Sequence, residues 1–429
     1  MHDINNILFG LILPIVLAVI GIFITKDSIK QIIINSINKK VHRYYSIISS
    51  EDYLLWQNII LNRYYNGYFT EILNYNFPVH IYYSNICFYP FDNLFSKDKL
   101  VESRIIDINK INYYKKYKNL QEHNMLKKED RKVKYPKRKC FMLNEIILDK
   151  NYICGFTAYV GRYEDNVYSS FILDYENFLL YKKYKKNKIT DKLFNVIKKK
   201  MIIRNNIHNG MSIDDVLLSG CKRASMFGVQ VAIIAKDGND NDKYKIIVGK
   251  RSHNVATRPG FYQFIPAGAF EIYGDEINFD DIKIVNQCSI ELTIFREYLE
   301  ELFDREDAEK QNEGETLYKL LLDDEIIEIK KMITEEKTIY LEFLGSVVSL
   351  VDLRHLLSFV IRIDDKKYSE KIFKNIKVNH RKELSSVEPM KFSDFLNIDK
   401  MKLHPSSAAL YKMLLTSSLY KDIENFGIN

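Results

Sequence analysis

The sequence predicts an N-terminal transmembrane helix followed by a cytoplasmic α+β protein, and three observations lead there. The chain opens on a long uncharged apolar run. Its 429 residues exceed the usual size of a single core, so more than one folded part is expected. From about Gly220 onward, short strand-like stretches give way to turn-rich loops and helices, with 46% hydrophobic and 28% charged residues in the whole chain to build cores and surfaces. The division that results is 1–26 for the membrane helix, 27–215 for an α+β linker or sensor region, and 216–429 for a C-terminal domain.

The membrane expectation rests on Ile4–Thr25, which carries no charge and is almost wholly apolar from Ile7 to Ile24. About 20 such residues at 1.5 Å each cross a bilayer core. A cleaved signal peptide is the rival reading, but it requires a basic stretch before the run and a small-residue cleavage site after it, whereas His2 and Asp3 precede and "TKDSIKQ" follows. Lys26, Lys30, Lys39, Lys40 and Arg43 follow the run, so the positive-inside rule places the N-terminus outside and the bulk in the cytoplasm, a single-pass inner-membrane arrangement. Cys87, Cys140, Cys154, Cys221 and Cys288 are scattered without C-x-x-C spacing, which signals neither zinc nor a disulfide framework and fits a reducing compartment.

The net charge of +7 is modest and uneven, with basic runs at Lys134–Lys139 and Lys182–Lys186 that read as solvated faces, or as sites for phosphates, anionic lipid or nucleic acid. "SSED" at Ser49–Asp52 reads as an N-cap with an acidic first turn, and so as a helix start. The basic stretch Lys110–Lys139 is expected as a loop or exposed helix, and Tyr152–Leu180 as two or three strands. This region suits either a ligand sensor, since aromatics among lysines fit nucleotide stacking and phosphate contact, or a structural spacer.

In the C-terminal part, "GVQVAIIAK" (Gly228–Lys236) and "YKIIVGKR" (Tyr244–Arg251) read as two strands, and "RPGFYQFIPAGAFE" as a loop ending at Glu271. Further strands are expected at "IYLEFLGSVV" and "HLLSFVIRID", and a helix beginning at Pro405, where proline fits the first turn. Between them lies "FREYLEEL", Phe295–Leu302. At 100° per residue Glu297, Glu300 and Glu301 share one narrow face, and Phe295, Tyr298, Leu299 and Leu302 the opposite one. Like charges at these spacings repel by about 0.2–0.5 kcal/mol per pair, so the stripe calls for a cation, either Arg296 or something bound. The plain alternative is an exposed helix face paired internally through Arg296.

The strand pair, the Gly-containing loop and the "RE-x-x-EE" helix together resemble the Nudix hydrolase family, whose box reads G-x5-E-x7-R-E-U-x-E-E-x-G-U. Gly268, Arg296, Glu297, Tyr298, Glu300 and Glu301 match it, and Glu271 falls inside its first spacer. The resemblance implies a C-terminal Nudix α/β/α sandwich with a mixed sheet, and Mg²⁺ (or Mn²⁺) held by Glu297, Glu300 and Glu301 beside Gly268. It also implies Glu297 and Arg296 as catalytic residues and cleavage of a nucleoside diphosphate-type substrate. The chemistry agrees, since water attack on a diphosphate needs hard oxygen ligands and a metal to neutralise phosphate charge. Two departures stand out: the interval from Gly268 to Arg296 is about twice the family's, with Cys288 at the formal place of the first conserved glutamate, and Phe303 and Asp304 replace the closing glycine and aliphatic residue. His253 and His355 lack partner spacing and read as structural or substrate-side residues.

A Nudix domain behind a membrane helix resembles the transmembrane effectors of bacterial CBASS anti-phage systems. That resemblance implies activation by a cyclic oligonucleotide from a CD-NTase, linked through its product, and a homo-oligomer at the lipid bilayer. The alternatives are a catalytically silent nucleotide sensor whose clustering perturbs the membrane, and a membrane-localised hydrolase of nucleotide-sugar or lipid-linked diphosphates unrelated to defence.

Overall fold

The computed structural model describes residues 43–91, 95–102, 139–238, 243–252, 258–272, 286–305, 320–376 and 384–424, with positions 35 and 39. Among these no helix is long and apolar enough to cross a membrane. The two longest, Glu51–Tyr64 and Ile290–Phe303, have 14 residues each, about 21 Å against a hydrocarbon core of about 30 Å. The expected fold class and the single-pass inner-membrane placement are corrected accordingly: the described chain is an α+β fold on one large mixed sheet. The apolar run Ile4–Thr25 and most of the basic stretch Lys110–Lys139 lie outside the described residues.

The strands are β1 (Thr70–Ile72), β2 (Tyr75–Phe77), β3 (Val79–Phe88), β4 (Phe95–Leu100), β5 (Lys139–Asp149), β6 (Tyr152–Arg162), β7 (Gly228–Lys236), β8 (Tyr244–Arg251), β9 (Tyr262–Phe264), β10 (Ala267–Ala269), β11 (Ile339–Ser349), β12 (His355–Ile363) and β13 (Leu384–Lys391). β1 and β2 form a separate hairpin, and the other eleven form a single sheet ordered β13-β8-β7-β12-β11-β3-β6-β4, with β10 on β7, β9 on β8 and β5 on β6. The sheet is mixed, because β12 runs parallel to β7 and β6 parallel to β3 and β4 while the remaining pairs are antiparallel. It therefore does not stop at the edge of a C-terminal sandwich. β11 pairs with β3 from the preceding region, and the core follows it across.

β7 shows why the sheet is two-sided. Its first eight residues are buried. Val229, Val231, Ile233 and Ala235 face the core that contains Ile294, Tyr298 and Leu302 of the helix Ile290–Phe303. Ala232 and Ile234 face a second core built on the proline-capped helix Pro405–Leu414. Alternation along an extended chain sends successive side chains to opposite faces, so a continuous apolar run marks a strand covered on both.

Where β11 meets β3 the register slips between Phe343 and Gly345. Gly345 has φ +138, and a Cβ there would stand 2.1 Å from the Tyr82 carbonyl oxygen. Glycine is required on both counts.

In place of two or three strands, Tyr152–Leu180 forms β6 and then the helices Tyr163–Ser169 and Ile172–Tyr184. The change is local: the Asp165 carboxylate accepts from the Arg162 N–H at 3.0 Å and opens a helix directly after the strand. The "SSED" helix forms as expected, with Ser50 capping Glu51–Tyr64 by accepting from the Tyr53 N–H.

Two fully buried arginines fasten this region to the turn between β11 and β12. Arg204 donates to the carbonyls of Leu350 (2.8 Å) and Val351 (2.6 Å) and to the Tyr65 hydroxyl (2.7 Å). Arg223 donates to the Leu353, Val216 and Ser219 carbonyls. Removing a buried guanidinium orphans its acceptors, so Arg204→Ala is expected to lower the unfolding free energy by about 3–5 kcal/mol. Urea denaturation of the two proteins measures it, and a difference below about 1 kcal/mol would show that the contact does not hold the two parts together.

Candidate functional site

The helix Ile290–Phe303 starts at Ser289, whose hydroxyl accepts from the Leu292 N–H at 3.3 Å, and ends at Asp304, which takes a left-handed conformation with φ +54. Aspartate tolerates that region better than most residues, so the chain turns without the family's glycine. The apolar face packs on the sheet. The opposite face is not exposed either: Glu297, Glu300 and Glu301 are 9%, 6% and 6% accessible. The plain alternative of an exposed face paired through Arg296 is corrected in its exposure, while its pairing of Arg296 with a carboxylate of the stripe is present.

What covers the carboxylates on one side is β10. The Ala267 N–H donates to Glu301 Oε2 at 2.8 Å. Arg296 Nη2 donates to the Ala269 carbonyl at 2.7 Å and to Glu297 Oε1. At Gly268 a Cβ would lie 1.9 Å from the Glu297 carboxyl carbon, so a side chain there would displace that carboxylate from its place against the strand. Arg296, Glu297, Glu301 and Gly268 thus converge on one short contact, with Glu300 on the same buried helix face.

One residue plays a part that the spacing did not assign to it. Glu271, two residues beyond β10, brings Oε2 to 3.6 Å from Arg296 Nη1. It is held there by the preceding region, because β5 continues past β10: Glu271 bridges Cys140, and the Ile272 N–H donates to the Lys139 carbonyl at 3.0 Å. Cys288, at the formal spacing of a box glutamate, is instead fully buried in the core. The long interval before Arg296 obscured Glu271, and its position inside the box spacer was the available signal.

Carboxylates are the ligand type a hard divalent cation takes, and three of them lie on one buried helix face against a strand that carries no side chain at Gly268. Their contacts are those of a network already engaged: Arg296 holds Glu297, and the Ala267 N–H holds Glu301. Among the described residues no group of three His, Cys, Asp or Glu side chains is gathered to hold a metal ion.

His253 lies outside the described residues. His355 is fully buried at the start of β12, with Nδ1 3.2 Å from the Ser346 hydroxyl. Burial, and then the Arg223 guanidinium, push its imidazole down to about 3.

With this geometry in view, comparison with solved structures finds a Nudix hydrolase from Alicyclobacillus acidocaldarius, at 15% identity and a TM-score of 0.26, over 44% of this chain and 90% of that one. So low a TM-score adds nothing to the reading of the site. A scan of protein-family models and a search of curated proteins give no match.

The histidine yields a sign-definite expectation. A base whose folded pKa is depressed to about 3 contributes stability that is present above its unfolded value of about 6.5 and lost as pH falls toward the folded one. Below about pH 6.5 the slope is about 1.4 kcal/mol per unit. His355→Gln should flatten the fall in stability between pH 6.5 and 5 by that amount, read from urea midpoints across pH; parallel curves for both proteins would contradict it.

Proposed function

We propose that the chain is a hydrolase of phosphoanhydride bonds in a nucleoside diphosphate-type substrate, with its reaction centre at the contact between β10 and the helix Ile290–Phe303. The observation that carries this is the burial of Glu297, Glu300 and Glu301 against the strand of Gly268, where an incidental acidic stripe would face water. Burying a carboxylate costs several kcal/mol unless its surroundings compensate, so a helix keeps three there for a purpose other than stability.

Glu297, Glu300 and Glu301 are the residues that would hold a divalent cation, which supplies charge neutralisation at the phosphates and a more acidic water. The chain's own groups orient the centre. The Ala267 N–H fixes the Glu301 carboxylate, and Arg296, braced by Glu271 and the Ala269 carbonyl, fixes that of Glu297. A helix carboxylate takes the proton of the attacking water, in a site closed on the sheet side by the packed core.

The hold of Arg296 on Glu297 favours a second reading, in which the domain binds a nucleotide without cutting it. The expectation of a cyclic-nucleotide-activated anti-phage effector depended on pairing this domain with a membrane helix. With none among the described residues, it forms no part of either reading.

Turnover decides between the two. The purified full chain is assayed with Mg²⁺ against nucleoside diphosphates, NAD, nucleotide sugars and cyclic oligonucleotides. Glu300→Gln and Glu301→Gln should each lower kcat by about a hundredfold or more, and Gly268→Ala should impair it by displacing the Glu297 carboxylate. Undiminished activity in the Gln variants would sink the assignment of the helix, and binding without turnover by the parent would select the silent reading.

A further inference from the structure

The segment Lys182–Lys200 runs from the end of the helix Ile172–Tyr184 through a turn to the end of the helix Asp191–Lys200. It holds nine lysines in nineteen residues, against 63 Lys and Arg in the 429 of the chain, so the density is local and does not reflect composition. All nine are exposed. The one acid of the segment, Asp191, is taken by Arg63 at 3.0 Å, and among the described residues none of the nine lysines is ion-paired. Nine lysines less Asp191 give the segment a net charge of +8, where the whole chain carries +7.

Helix stability explains only part of this placement. Lysines in a last turn gain from the helix dipole, which accounts for Lys182, Lys183 and Lys198–Lys200. Lys188 and Lys192 instead flank Thr190, the N-cap of the second helix, where the dipole disfavours a cation, and Lys185 and Lys186 add like charge from the turn. Several of the side chains are held. Lys182 Nζ lies 5.5 Å from the centre of the Phe178 ring, Lys185 Nζ 5.6 Å from that of Tyr181 and Lys198 Nζ 5.4 Å from that of Tyr64, so their stems run along aromatic rings while the ammonium heads stay in water. At the end of the second helix Asn195, Lys198, Lys199 and Asn205 line a groove of about 430 Å³, and no described lining residue is Asp or Glu. Asn205 is fixed there, because its Nδ2 donates to the Lys198 carbonyl at 2.7 Å and its Oδ1 accepts from the Tyr64 hydroxyl at 3.0 Å.

We propose that the segment Lys182–Lys200 is a binding surface for single-stranded nucleic acid, with lysines following the phosphodiester backbone independently of base sequence. A bilayer fits the surface less well. An interfacial helix must offer its apolar face to acyl chains, whereas the helix Asp191–Lys200 spends that face on the protein. Ile197 is fully buried, Leu193 and Phe194 pack against the core with the Arg63 guanidinium 5.8 Å over the Phe194 ring, and Val196 is the one apolar residue of the helix left exposed. A strand of phosphates needs what the surface does present: unpaired cations, asparagines between them, and the half-buried rings of Tyr64 and Tyr184 on which an unpaired base can stack. None of these residues belongs to β10 or to the helix Ile290–Phe303, so the proposal does not rest on the hydrolase reading.

The test is fluorescence anisotropy of a labelled oligothymidylate of about 20 nucleotides, titrated with the full chain between about 50 and 200 mM salt. A duplex of the same length and phosphatidylserine vesicles, the latter read by co-sedimentation, serve as competitors for the assignment. The parent should bind the single strand, and more weakly as salt rises. Combining Lys198→Gln, Lys199→Gln and Lys200→Gln should weaken binding by about tenfold or more and make the slope of log affinity against log salt shallower by about 2, since each phosphate contact on a single strand contributes about 0.7. Combining Lys185→Gln, Lys186→Gln and Lys188→Gln should do the same. No binding by the parent, full binding by both variants, or preference for the duplex or the vesicles overturns the proposal. Should a variant fail to fold, acetylation of the parent by N-hydroxysuccinimidyl acetate decides: oligothymidylate must protect the lysines of Lys182–Lys200, and absence of protection overturns it.

Discussion

The pairing of β5 with the chain just beyond β10 is the contact on which the rest of the site depends. It fixes residues 270–272, and through them the direction in which β10 leaves β7 and the place where Glu271 stands beside Arg296. Phe270 marks the same junction from the apolar side: its ring stacks on Phe227 at 4.5 Å, and Phe156 of β6 closes on Phe227 at 5.1 Å. Aromatic pairs at these separations add about 0.5–1.5 kcal/mol beyond their buried area, so the junction is both shaped and cohesive. The preceding region is thus structurally joined to the contact between β10 and the acidic helix.

The same logic explains why the sheet has no internal boundary. β11 has a partner on each side, β12 from the C-terminal part and β3 from the preceding one, and Gly345 absorbs the slip that lets both ladders close. Arg204 and Arg223 then satisfy carbonyls of the turn between β11 and β12 that would otherwise be buried without donors. Buried guanidiniums are expensive to desolvate, and each is retained where several carbonyls converge that an apolar side chain would leave unmet. That turn also carries Arg354, whose Nε donates to the Asp352 carboxylate.

Carboxylates gather where β10 meets the helix Ile290–Phe303, and the same three residues of β10 also line a cleft together with Arg251 and Arg354. A side chain at Gly268 would displace the Glu297 carboxylate that packs against the strand.

The sequence by itself determined the local elements and the chemistry of the acidic helix. Gly228–Lys236, Tyr244–Arg251 and the helix at Pro405 were legible because alternation, turn residues and a first-turn proline act within a few residues. Glu297, Glu300 and Glu301 were legible as one face because helical spacing is fixed. The tertiary structure alone decided that this face is buried and that Glu271 and not the residue at the formal spacing approaches Arg296. It also decided that Arg251 and Arg354, a hundred residues apart in sequence, line one cleft. The reason is physical: periodicity reports which side chains share a face, whereas burial and charge pairing depend on which distant strand lies opposite, and strand partners are chosen by the whole sheet.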